Sequence, residues 1–343
     1  MKIDKYLKMA IEQKASDVHL VGGAVPSLRV AGQLGFIKEE VLSKSVAREM
    51  VKEMLNEQQM GRLEQERDLD IALALDEYRF RINIHFQKEM LAIAARLVPK
   101  NIPDPADLGF TDTILQLTKL NAGLVLVTGP SGSGKSTTLA AMLEIINNER
   151  PAHVITIEDP IEFVYTDKRS LIEQREIGRD ALSFAGALKY VLRQDPNVIL
   201  LGEMRDLETI QSALTAAETG HLVFSTLHTQ TAAATVERII DMFEGARQKQ
   251  VLLQLAGSLR AVVSQQLIPA VKGGLVAARE IMLVNPAVAN LIRENKVAQI
   301  ASVLQTSAKE GMITMESAVE KLHTDGIIGD DYAKRGKERG KTF

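Results

Sequence analysis

The sequence predicts an α/β protein centred on a parallel-rich sheet, with a small α+β domain ahead of it and a helical region behind it. Three observations point there. Beyond residue 106, short apolar runs alternate with helical patterns of roughly 10 to 15 residues, the signature of parallel strands joined by crossover helices. Ahead of residue 98, the stretch 78 to 87 alternates strictly, with Phe80, Ile82, Ile84 and Phe86 on one face and Arg79, Arg81, Asn83 and His85 on the other. Between the two textures stand Pro99, Pro103 and Pro105, which lack amide donors and restrict the residues before them, so the segment reads as a linker.

The expected division is 1–98, a linker over 99–106, a core over 107–285, a helical region over 286–330 and a polar tail over 331–343. In the first domain a helix over 3–14 leads to strands at 17–21 and 27–30. A helix follows over 43–58, then strands at 69–75, 78–87 and 90–97, giving an antiparallel sheet with one polar face. In the core, strands are expected at 123–128, 153–157, 171–174, 197–201 and 221–225. Gly273 and Gly274 read as a hairpin turn between 266–271 and 275–283. From Pro286 onward helical patterns dominate.

The 41 basic and 44 acidic residues nearly balance, so the chain lacks the electrostatic footprint of a nucleic-acid binder. Its one basic cluster, Lys334 to Lys341, reads either as a solvated tail or as a binding arm. No cysteine is present, which excludes disulfides, thiolate catalysis and cysteine-ligated zinc. The opening residues form an amphipathic segment rather than a secretory one, and no apolar stretch approaches 18 residues. A cytoplasmic protein without direct membrane insertion is expected.

The strongest signal is Gly129-Pro-Ser-Gly-Ser-Gly-Lys-Ser136, a G-x-x-x-x-G-K-S loop placed after a strand and before a helix. Gly129, Gly132 and Gly134 let the backbone aim its amides at a phosphate, and the following helix adds the positive end of its dipole. Lys135 would neutralise the β and γ phosphates, and the Ser136 hydroxyl would ligate Mg²⁺. Ser131, Ser133 and Thr137 complete the predicted nucleotide site.

Such a site needs oxygen ligands and a group to orient water at neighbouring strand ends. Glu158 and Asp159 end one strand, and Glu203 ends the apolar run 197–201 after Gly202. Glu203 reads as the general base, because Gly202 before it adds no side chain. Asp159, ahead of Pro160, reads either as a metal ligand beside Glu158 or as a turn cap. His221 and His228 bracket the next strand and read either as core residues or as sensors of the γ-phosphate. Arg81 and Arg96 read either as solvated sheet residues or as arginines offered to a neighbouring subunit's nucleotide.

Taken together, the phosphate loop, the acidic box Ile155 to Glu162, the run Gln174 to Gly178 leading into Val198 to Asp206, and the histidine box Thr219 to Thr229 resemble the secretion ATPase superfamily. Within it, the chain is most similar to the type IV pilus retraction ATPases. Ala15 to Leu20 and Tyr78 to Asn83 extend the likeness over nearly the whole chain. The resemblance implies a RecA-like P-loop core behind a PAS-like domain, ATP and Mg²⁺ as cofactors, and a homohexamer docked on an inner-membrane pilus platform protein. It assigns catalysis to Glu203, metal and water orientation to Glu158 and Asp159, the histidine box to His221 and His228, and the trans arginines to Arg81 and Arg96. One departure is Ala289 within Ala287 to Ile292, where the retraction ATPases typically carry arginine. The alternatives are a pilus assembly or type II secretion ATPase, a divergent retraction paralogue, a P-loop small-molecule kinase, and a nucleotide-gated scaffold.

Overall fold

The computed structural model describes residues 1–30, 32–76, 78–98 and 101–332, which divide into two compact units at Asn101 and Ile102. Pro99 and the basic cluster Lys334 to Lys341 lie outside the described residues. The first unit opens with α1 (Asp4–Glu12), β1 (Ala15–Val21), β2 (Ser27–Val30) and β3 (Gln33–Phe36). It continues through α2 (Lys44–Met54), α3 (Glu57–Glu66), β4 (Asp68–Leu75), β5 (Tyr78–Gln87) and β6 (Met90–Val98). Among the described residues the strands form one antiparallel sheet in the order β3-β2-β1-β6-β5-β4. Its apolar face packs Phe80, Ile82, Ile84 and Ile93 against Leu7, Met50 and Leu63 of the three helices.

Two expectations are corrected here. The helix expected over 43–58 is two helices, because the Asn56 side chain accepts from the Gln59 amide while Gln59 Oε1 accepts from the Asn56 amide, a capping box that starts α3. Strand β3 carries no buried residue, and so had no burial alternation to reveal it.

The second unit contains α4 (Asp112–Leu117), β7 (Gly123–Thr128), α5 (Lys135–Glu149), β8 (His153–Glu158), β9 (Leu171–Glu176), α6 (Phe184–Val191) and β10 (Val198–Leu201). Then come α7 (Leu207–Glu218), β11 (Leu222–Leu227), α8 (Ala232–Asp241), α9 (Gly245–Ser258), β12 (Leu259–Pro269), β13 (Leu275–Leu283), α10 (Pro286–Arg293), α11 (Ile300–Thr306) and α12 (Met315–Thr324). The sheet order is β13-β12-β7-β11-β10-β8-β9, parallel from β12 to β9 with β13 antiparallel at the edge. β7, β10 and β11 are buried along their entire lengths, which is why they read as unbroken apolar runs.

Of the helices after Pro286, α10 and α11 join this core, while Val319 of α12 packs with Ile268 and Ala278 of β12 and β13 in a smaller cluster. Val288, Ala289, Ile292, Ile300 and Leu304 pack in the same cluster as Leu126, Ile199 and Val223 of the sheet.

Candidate nucleotide site

In a parallel sheet, ligands gather at the carboxyl ends of the strands, and the phosphate loop, Glu158, Asp159, Glu203 and His228 lie at that edge. β7 ends at Thr128, the loop 129–134 turns back, and α5 begins at Lys135. Gly129, Gly132 and Gly134 all have positive φ, the conformation that glycine adopts without a Cβ penalty. At Gly129 the reason is also steric: a Cβ there would stand 2.2 Å from the Gln265 carbonyl oxygen and 2.7 Å from Ser133 Oγ.

Lys135 is buried and its ammonium donates to the carbonyls of Gly129 (2.8 Å) and Pro130 (3.0 Å). Burial pushes its pKa down, while Glu162 and Glu203 push it back up. Ser133 Oγ is buried without a hydrogen-bond partner among the described residues. A cation satisfied only by its own loop, an orphaned hydroxyl and a helix N-terminus together fit a phosphate group. Ser131, Ser136 and Thr137 flank this cradle with partly or fully exposed side chains.

Glu203 follows Gly202 at the end of β10, and His228 follows the end of β11. The two strand ends are laced together: Thr226 Oγ1 donates to the Gly202 carbonyl (2.6 Å) and the Met204 amide donates to the Thr226 carbonyl (3.3 Å). Glu203 Oε1 is 2.7 Å from Arg205 Nε, and its Oε2 is 3.6 Å from His228 Nε2. The carboxylate is mostly sheltered while both partners reach outward.

Glu158 ends β8 as a buried carboxylate. Its Oε1 accepts from Thr156 Oγ1 (2.6 Å) and Gln174 Nε2 (3.3 Å), and the Glu162 amide approaches Oε2 at 3.5 Å. Desolvation raises its pKa against the pull of these donors. Asp159 beside it is exposed. A Cβ on Gly202 would come to 3.4 Å from the Glu158 Cα, an ordinary contact, so position 202 lies directly beside the acidic box. Gln174 also ties this box together, donating to Phe163 O and accepting from the Tyr165 amide. Among the described residues no group of three or more His, Asp and Glu is arranged to hold a metal, so a cation here would lean on Ser136 and on phosphate oxygens.

His221 is corrected. It precedes β11, at the end of the sheet where β7 begins, with Nδ1 3.0 Å from the Ala216 carbonyl and its own carbonyl accepting from the Gly123 amide. Within its own unit it stands a strand's length from the phosphate loop. Arg81 and Arg96 face each other across β5 and β6, and Arg96 Nε donates to Asp17 Oδ1 at 2.7 Å. Arg29 lies 3.9 Å from the same aspartate, so Asp17 is flanked by Arg29 and Arg96 on the polar face of that sheet.

Sequence reasoning held Arg205 and Glu162 only as members of their motifs and missed Gln265 and Arg279, whose contacts are made by the fold. No local signal marked them.

A phosphate loop on one buried parallel strand, and a carboxylate two strands away with a histidine on the strand between, define a P-loop ATPase. The chain belongs to the family described as "Type II/IV secretion system protein", which matches residues 1–326. It is 44% identical over 100% of both chains to the type IV pilus retraction ATPase PilT of Pseudomonas aeruginosa. It is also 45% identical to a twitching motility protein of Neisseria gonorrhoeae, over 96% of this chain and 89% of that one. The crystal structure of the pilus retraction motor PilT with bound ADP matches with a TM-score of 0.91 at 43% identity, covering 98% of this chain and 97% of that one. The ATPase DotB of Legionella pneumophila matches at 0.86 and 29% identity, over 97% and 94% of the respective chains.

Proposed function

We propose that this chain is the ATP-hydrolysing subunit of a homohexameric motor that retracts type IV pili from the cytoplasmic face of an inner-membrane platform protein. The observation that carries the reading is the Glu203–His228 pair at the carboxyl edge of the sheet, in a chain similar from end to end to a named retraction ATPase. The second unit serves as a RecA-like core and the first as a PAS-like domain.

The loop amides and Lys135 bind the β and γ phosphates of ATP, which draws the ammonium off the Gly129 and Pro130 carbonyls. Mg²⁺, held by Ser136 with Asp159 and Glu158 in support, would supply charge neutralisation on the phosphates. Glu203 accepts a proton from the attacking water, general-base assistance contributing roughly 10² to 10⁴ in rate. His228 reports the state of the γ-phosphate to β11. Arg81 and Arg96 of a neighbouring subunit stabilise transition-state charge, an effect of about 10³ to 10⁵.

Ala289 supports a second reading, a divergent retraction paralogue. The position is buried in α10, and the type IV pilus ATPase PilU of Pseudomonas aeruginosa is 37% identical to this chain, over 96% of this chain and 86% of that one. Deleting the gene in its host and scoring surface pili tests the proposal. Excess pili with lost twitching is the expected result. Absence of pili would indicate an assembly ATPase instead, and normal retraction would indicate a paralogue with another main role.

A further inference from the structure

Arg279 on β13 is a buried guanidinium, 6% exposed, and no carboxylate pairs with it among the described residues. Burial lowers its pKa to about 10, which leaves it charged at neutral pH. An uncompensated buried cation is costly unless its donors are used, and here all three nitrogens are engaged. Nη1 donates to the Leu108 carbonyl at 2.7 Å, with Gly109 O at 3.5 Å. Nε donates to Gln265 Oε1 (3.3 Å) and Nη2 to Thr138 Oγ1 (3.4 Å). The guanidinium carbon stands 5.2 Å from the centre of the Phe110 ring, in reach of a cation–π contact.

Gln265 on β12, equally buried, completes a path to the phosphate loop. Its Nε2 donates to the Ser133 carbonyl at 2.6 Å, its Oε1 also accepts from Thr138 Oγ1 at 2.8 Å, and its own carbonyl is the surface on which Gly129 rests. One glutamine therefore grips the loop with its amide nitrogen and the arginine with its amide oxygen. The arginine in turn grips residues 108–110, the opening segment through which the chain enters the second unit from the first.

We propose that Gln265 and Arg279 form a relay that holds the phosphate loop in shape and ties it to Leu108–Phe110, so that occupancy of the loop by a nucleotide phosphate changes how firmly that opening segment is held. The inference rests on the reading of the loop as a nucleotide site. Both are positioning residues. A phosphate that turns the loop amides toward itself moves the Ser133 carbonyl, and the buried amide of Gln265, with no solvent to turn to, must follow it. Coupling is reciprocal, so the grip on the segment also sets how well the loop takes a nucleotide. Arginine is required because acceptors on three sides, Leu108 with Gly109, Gln265 and Thr138, are addressed by one rigid fork, which a lysine ammonium on the same strand cannot reproduce.

Hydrogen exchange on the full chain, with and without saturating ADP, tests this. The amides of Leu108, Gly109 and Phe110 donate to the carbonyls of Asp104, Ala106 and Pro105, and their exchange should slow by at least about threefold when ADP binds. In Arg279→Lys, ADP should still bind, measured separately by calorimetry, while the ADP-dependent slowing at 108–110 disappears. A purely structural arginine would instead raise exchange equally with and without ADP and leave the difference intact, which overturns the proposal. So does wild-type protein that binds ADP with unchanged exchange at 108–110. Wild-type protein that binds no ADP overturns both this relay and the nucleotide reading. If Arg279→Lys fails to fold, Phe110→Leu takes its place: a weakened ADP-dependent difference supports the relay, and an undiminished one overturns it.

Discussion

His228 Nε2 lies 3.6 Å from Glu203 Oε2, bringing the imidazole past the end of β11 to the carboxylate past the end of β10. The distance is too long for a direct hydrogen bond and short enough for one to form on a small movement of either group. Arg205 occupies the other carboxylate oxygen at 2.7 Å. The carboxylate is thus aimed by partners from both sides.

Glu203→Gln would keep the shape and remove the proposed base. ATP binding should persist while turnover falls by at least about a hundredfold. Single-turnover hydrolysis alongside equilibrium binding distinguishes the two effects, and near-normal turnover would remove Glu203 from its role.

Gly129 and Gly132 should separate conformational strain from steric overlap. Both have positive φ, but a Cβ at 132 meets nothing within 4 Å whereas at 129 it lands on backbone. Gly132→Ala should cost about 1–2 kcal/mol from conformation alone. Gly129→Ala should cost more, because overlap with the Gln265 carbonyl adds the about 1–3 kcal/mol of overpacking. Urea unfolding of the two variants gives the comparison.

The paired arginines of the first unit predict a dominant effect in mixed assemblies. Arg81→Ala subunits doped into wild-type protein should lower ATPase activity more steeply than dilution if each arginine serves a neighbour's nucleotide. A strictly proportional fall would return Arg81 to an ordinary solvated sheet residue.

Glu158 has a pKa raised in the folded state, chiefly by desolvation, so the folded chain holds its proton more tightly than the unfolded one. Its contribution to stability is full below the ordinary glutamate value and is lost as pH rises through the raised one. Glu158→Gln should therefore gain in melting temperature relative to wild type as pH is raised above about 4.5, with the gap levelling off once the raised value is passed. Glu280, also raised by burial, should behave alike. A gap independent of pH would mean that Glu158 titrates alike in the folded and unfolded chain.

What could be read from residues alone was whatever repeats along the chain or falls within one short motif, as the phosphate loop 129–136 does. Buried parallel strands announce themselves as apolar runs, and Gly273–Gly274 marked the β12–β13 turn because both positions need positive φ. His221 and His228 were both assigned to the nucleotide because their motif was read as one unit, although only His228 follows the carboxyl end of β11. Gln265 and Arg279 were invisible because their partners Ser133 and Leu108 stand 132 and 171 residues away. The break between α2 and α3 hinged on one asparagine whose capping role depends on the direction its side chain takes.

The order β7-β11-β10 also acts as a ruler. Strands in a sheet sit about 4.8 Å apart, so the ends of β7 and β10 are separated by roughly 10 Å whatever the loops do. The phosphate loop leaves from one mark and Glu203 stands past the other. The backbone ladder sets this gauge, so side-chain substitutions at the site can blunt the chemistry without changing the length over which it is measured.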